Sequence, residues 1–136
     1  MTPRRKSIEK SSRVVAHTDA SPLVEIEFRG KAWDGCCDEL DDYVGVVVQD
    51  TRPAGVLLNL TDYKTKSWDD IAPVFGRLID RQNRTFLPFC LVARGKTAKS
   101  MKTMIMAMQF SEITEVFEDD GEGLEYLKGK LMGDAE

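Results

Sequence analysis

Gly55-Val56-Leu57-Leu58-Asn59-Leu60-Thr61-Asp62-Tyr63, running on into Lys64-Thr65-Lys66-Ser67-Trp68-Asp69-Asp70, is the stretch whose reading decides the fold. Its first half is a short apolar run that rises from Pro53-Ala54 and closes on Thr61-Asp62, the mark of a buried strand. Its second half reads as a loop feeding a helix, with Ser67 and Asp70 at the spacing of a capping box. A strand that passes straight into a helix N-terminus gathers backbone N–H groups and a hydroxyl at one edge of a sheet. A phosphate or a partner is met at such an edge.

Outward from this stretch the hydrophobic periods alternate. On the N-terminal side, Val24, Ile26 and Phe28 alternate with Glu25, Glu27 and Arg29, which predicts a half-buried strand near the sheet margin. Between Asp34 and Gln49 the residues Leu40, Tyr43, Val44, Val47 and Val48 repeat at helical spacing, and Thr51-Arg52-Pro53 ends that helix. On the C-terminal side a helix is predicted over 68–83, with Ile71, Val74, Phe75 and Leu78 on its apolar stripe. A strand over 87–93 follows, then a helix over 97–109 with Met101, Met104, Ile105 and Met108 on one face. A strand over 113–118 and a helix over 121–131, with Leu124, Leu127 and Leu131, close the chain. The order β-α-β-α-β-α-β-α implies an α/β protein with a mostly parallel, four- to five-stranded sheet and helices packed on it.

Length and composition fit that reading. The 136 residues suffice for one domain, and 42% apolar with 31% charged content is that of an ordinary globular protein. No apolar run approaches the ~20 residues of a membrane helix, so no stable membrane insertion is expected. Cys36, Cys37 and Cys90 lie at no metal spacing and read as reduced thiols, which points to the cytoplasm. Residues 1–13 set Arg4, Arg5, Lys6, Lys10 and Arg13 against Glu9, a local +4, so the remainder carries −8 of the net −4. Residues 1–22 therefore read as a flexible basic leader, 23–131 as the domain and 132–136 as a tail. His17, in that leader, reads as solvated. The acidic body argues against nucleic-acid binding.

No catalytic or metal constellation emerges. Arg94-Gly95-Lys96-Thr97 lacks the upstream glycine of a phosphate loop, and Gly30 to Gly35 lacks the dinucleotide fingerprint. A thiol nucleophile would have only His17 as a base. No catalytic residue, metal or cofactor is assigned, and a non-catalytic module is expected.

With this element order the body resembles the STAS domain, the fold of anti-sigma-factor antagonists. Val24 to Gly30 matches the family's opening strand, Leu58-Asn59-Leu60-Thr61 its central Leu-Asp-Leu-Ser strand, and Phe89-Cys90-Leu91-Val92 and Ile113 to Phe117 its later ones. The resemblance implies a regulatory module that binds a protein partner, either a kinase-type anti-sigma factor or a second copy. It places the contact on Lys64, Thr65, Lys66, Ser67, Trp68 and Asp69, with Ser67 as the phosphosite. The family's Asp-Ser-Ser/Thr-Gly signature is absent here, with Lys66 where an aspartate is usual.

A second resemblance, to the divergent sporulation-antagonist-like branch grouped with CRAL-TRIO lipid-transfer domains, rests on the tryptophan of Tyr63-Lys64-Thr65-Lys66-Ser67-Trp68. It implies a small apolar ligand, bound by Trp68, Phe75, Met101 and Met104. Met106 lies off the methionine stripe and is expected to face a neighbour or a partner chain. Arg94, Lys96, Lys99 and Lys102, with Lys64 and Lys66, are placed by a parallel sheet on one rim, beyond the carboxyl ends of the strands.

Overall fold

The computed structural model describes residues 8–17, 21–31, 36–64, 88–107 and 115–131. Five strands form one sheet: β1 (Glu9–His17), β2 (Pro22–Lys31), β3 (Gly55–Lys64), β4 (Phe89–Val92) and β5 (Val116–Phe117). They lie in sequence order across it, with β1 antiparallel to β2 and the others parallel. Three helices are described: α1 (Cys36–Thr51), α2 (Gly95–Ala107) and α3 (Asp120–Leu131). The mostly parallel α/β sheet expected from the sequence is thus observed. The predicted helix over 68–83 lies outside the described residues. Among them, no helix is long and apolar enough to cross a membrane.

The sheet separates two apolar layers. On one face Val24, Ile26 and Phe28 of β2 and Val56, Leu58 and Leu60 of β3 pack with Leu40, Val44 and Val47 of α1 and Ala98 and Met101 of α2. On the other, Leu23, Leu57, Cys90 and Val92 pack with Leu127 of α3, flanked by Leu124 and Tyr126. The approach of α3 is close. A Cβ on Gly123 would stand 3.1 Å from Cys90 Sγ and 3.3 Å from both Leu57 Cδ1 and Val92 Cγ2. A larger residue there would require these side chains to give by a few tenths of an ångström.

The N-terminal segment corrects the sequence reading. Residues 9–17, expected to be a flexible leader, form β1, paired with β2 from Glu9↔Arg29 to His17↔Pro22. The element order therefore begins β-β, and β2 is an inner strand rather than a marginal one. The misreading has a physical origin. As the outermost strand β1 keeps most of its side chains exposed, so it shows little apolar alternation. Its anchors are Ile8, buried at 2% exposure in the larger core, and two pairings with the acidic body, Lys10 with Glu39 and Arg13 with Glu25. The leader's positive charge is thus spent partly inside the fold. His17 ends the strand exposed, as expected.

The end of β3 is a second correction. Thr61-Asp62 was expected to close the strand, which instead continues to Lys64. The register passes from Glu27↔Asn59 to Arg29↔Asp62, so β3 carries one residue more than β2 at this point. Such a bulge leaves a backbone group unpaired. Here the side chain of Asn59 absorbs it: its Oδ1 accepts the Thr61 N–H at 3.0 Å and the Thr61 hydroxyl at 2.8 Å. Beyond the bulge Tyr63 is buried and Lys64 exposed, so the strand pattern resumes. Helix α1 stops where expected. Arg52 adopts φ 47°, a left-handed cap, and its N–H bonds to Val48 O at 2.9 Å ahead of Pro53.

If the N-terminal segment belongs to the fold, Ile8→Ala lowers the unfolding free energy by about 2–4 kcal/mol. Urea denaturation followed by circular dichroism measures this, and a leader outside the fold would leave the midpoint unchanged.

Candidate functional site

The parallel strands β2, β3 and β4 direct their carboxyl ends to one rim. Lys31 and Lys64 are register partners at the last positions of β2 and β3, and both are exposed. Past the end of β4, Arg94 and Lys96 are exposed, followed on α2 by exposed Lys99 and Lys102. Helix α2 has no acidic residue in its first turn, whereas α1 begins with Asp38 and Glu39 and α3 with Asp120 and Glu122. Of the predicted basic rim, Lys64, Arg94, Lys96, Lys99 and Lys102 are exposed at or after the carboxyl ends of β3 and β4, Lys66 lies outside the described residues, and Lys31 adds a cation at the end of β2. The sequence reading missed Lys31 because it counted cations only in the loops after β3 and β4.

Of the residues assigned to partner contact, Lys64 is described, as a strand residue rather than a loop one. Thr65, Lys66, Ser67, Trp68 and Asp69 lie outside the described residues, as do Asp70, Phe75 and Met108 and the side chains of Met104, Cys36 and Cys37. Met101, assigned to an apolar ligand, sits at 0% exposure within the larger core. Met106 projects to solvent at 72% exposure. Among the described residues no group of three or more His, Cys, Asp or Glu side chains is placed to hold a metal.

A polar cluster that the sequence reading did not single out lies on the α3 face of the sheet. Glu25 is buried at 4% exposure. Its Oε1 accepts from Arg13 Nε at 2.7 Å and its Oε2 from Asn59 Nδ2 at 2.8 Å, so one carboxylate joins β1, β2 and β3. A charge at this depth is tolerable only when so partnered. Its hydrogen bond and its charge both hold the Arg13 guanidinium more firmly protonated than usual. Nearby, burial pushes the Cys90 thiol up to about 12, with Glu115 adding to the effect, while its Sγ–H donates to Gly123 O at 3.4 Å. Burial raises the Tyr126 hydroxyl as well.

With this geometry in view, the fold is STAS-like. It resembles the crystal structure of an anti-sigma factor antagonist from Mycobacterium paratuberculosis, with a TM-score of 0.58 at 15% identity over 87% of this chain and 95% of that one. It also resembles an uncharacterized Shewanella loihica protein with a SpoIIAA-like fold, with a TM-score of 0.56 at 11% identity over 93% of this chain and 98% of that one. The likeness spans nearly the whole of each chain, so it describes a complete fold and not a shared fragment. No protein-family model matches the sequence, and no curated protein does.

Two outcomes follow from the buried groups. Arg13→Ala costs roughly 1 kcal/mol, because water replaces an exposed guanidinium, whereas Asn59→Ala costs about 2–3 kcal/mol by orphaning both Glu25 Oε2 and the Thr61 N–H. Chemical denaturation of the two variants should give that order, and the reverse order would refute it. The thiol has the opposite pH sense to a paired carboxylate. Between its ordinary value near 9 and the folded value of about 12, the unfolded chain has lost the Cys90 proton and the folded chain keeps it. Stability therefore falls with rising pH in that window, by at most about 1.4 kcal/mol per pH unit. Cys90→Ala should flatten this slope in urea titrations made below and above the thiol's ordinary value.

Proposed function

We propose that this protein is a non-catalytic regulatory module of the STAS type, which binds a protein partner through the basic rim at the carboxyl ends of β2, β3 and β4. The observation that carries this reading is that exposed Lys31, Lys64, Arg94 and Lys96 stand at or just past the carboxyl ends of three parallel strands of a STAS-like sheet, on a chain whose net charge is negative. Cations gathered on one rim steer an acidic partner surface and fix its orientation. Ser67 follows Lys64 by three residues in the sequence, and a phosphate added to it would repel an acidic partner bound at this rim. The partner proposed is an anti-sigma factor, by analogy with the Mycobacterium paratuberculosis neighbour.

Pairwise binding against the anti-sigma factors of the source organism, measured by calorimetry, tests the proposal. One of them should bind, and Lys64→Glu with Lys96→Glu should weaken that complex about tenfold or more without altering the circular dichroism spectrum. Ser67→Glu should weaken it in the same direction. Binding indifferent to all three changes would remove the rim from the interface, and failure of every anti-sigma factor to bind would remove the class of partner.

A further inference from the structure

The α3 face of the sheet carries a cleft, away from the basic rim, that nothing so far explains. It encloses about 380 Å³ and is lined by Arg13, Val14, Val15, Glu25, Leu57, Asp120, Gly121 and Leu124. A volume of this order suits a small organic molecule. Its shape has a specific origin in β1. Successive residues of a regular strand point to opposite faces. Here Arg13, the register partner of Glu25, and Val15, which packs on the smaller core, alternate onto the α3 face, and the β1–β2 register shifts just beyond, between Val14 and Ala16.

The walls divide by chemistry. Val15, Leu57 and Leu124 make an apolar surface, while Glu25 is buried and Asp120 exposed. Arg13 flanks the cleft and does not fill it, since 69% of its side chain remains exposed. Charge then decides what the cleft can hold. One guanidinium stands against two carboxylates. The N-terminus of α3 adds about half a positive charge, which leaves the cleft negative. Glu25 already accepts one hydrogen bond on each oxygen, but a carboxylate has about four acceptor sites, so each oxygen keeps capacity for another donor. An anion brought to Arg13 would lie against Glu25 and Asp120 and be repelled.

We propose that this cleft binds a small organic cation, an amine carried on an apolar body, with its ammonium between Glu25 and Asp120 and its body against Val15, Leu57 and Leu124. The ammonium supplies donors to carboxylate oxygens that are partly desolvated, where charge-assisted hydrogen bonds are strongest. The site is separate from the proposed partner rim, and neither reading depends on the other.

Titration of the full-length protein with hexylamine, followed by amide NMR, is the test, with hexanoate and hexanol as charge-reversed and neutral controls. Hexylamine should produce saturable shifts at Val14, Val15, Leu57 and Gly121. Asp120→Asn should weaken it about threefold or more and Glu25→Gln about tenfold. Should Glu25→Gln fail to fold, the exposed Asp120→Asn still decides. The proposal is overturned if no shift saturates or if hexanoate or hexanol binds as tightly as the amine. Unchanged affinity in Asp120→Asn overturns it too, as do equal shifts at the acidic start of α1, around Asp38, Asp41 and Asp42.

Discussion

A carboxylate held within a sheet must find its counter-charge and its hydrogen-bond donors inside the protein, and Glu25 imposes that demand on its two neighbouring strands. β1 answers with Arg13 and β3 with Asn59. Asn59 in turn accepts from Thr61, which settles the bulge that carries β3 on to Lys64. A single buried charge thus links the N-terminal strand, the central strand and the position of Lys64 at the end of β3. It adds a charged anchor to the mostly exposed strand β1, beside the strand's pairing with β2 and the packing of Ile8, Val15 and Ala16.

The central strand shows why the architecture can support a surface at one end. β3 is buried on both faces from Val56 to Leu60, between the layer of α1 and α2 and the layer of α3. A strand so enclosed is rigid, and the charged residues at its end inherit that rigidity. Recognition needs this division of labour, in which packing fixes the scaffold and solvated side chains at its margin make the contacts.

The legibility of this structure in the sequence followed the strength of each local signal. The run Val56 to Leu60 and the α1 stripe of Leu40, Val44 and Val47 were legible because each buries one consistent pattern. β4, whose four residues are all buried, was legible for the same reason. β1 was not, because an outermost strand anchored by ion pairs has the composition of a loop. The strand-terminating look of Thr61-Asp62 misled because turn residues also serve bulges, and an Asn two positions upstream was the clue that this one did. Half of the polar cluster was readable as well, since Asn59 is a polar residue inside an apolar run and such a residue demands a partner. Which partner it finds depends on pairing register, which periodicity does not specify. Lys64 and the basic residues of α2 were legible as charges, and their common rim followed from parallel topology. Met101 lies in the core, the commoner place for a methionine at helical spacing, although stripes of methionine look alike in either role.

The sequential order of the sheet bears also on how the chain reaches this structure. Among the described residues each strand pairs with the strand before it in sequence, so none of these must wait for one further along the chain before it can be added. The first pair, β1 and β2, is an antiparallel hairpin whose closure spans few residues, and it can form before the slower parallel crossovers begin. The N-terminal segment that looks most like an appendage is therefore placed to serve as the template on which a nascent chain starts to assemble, one strand at a time.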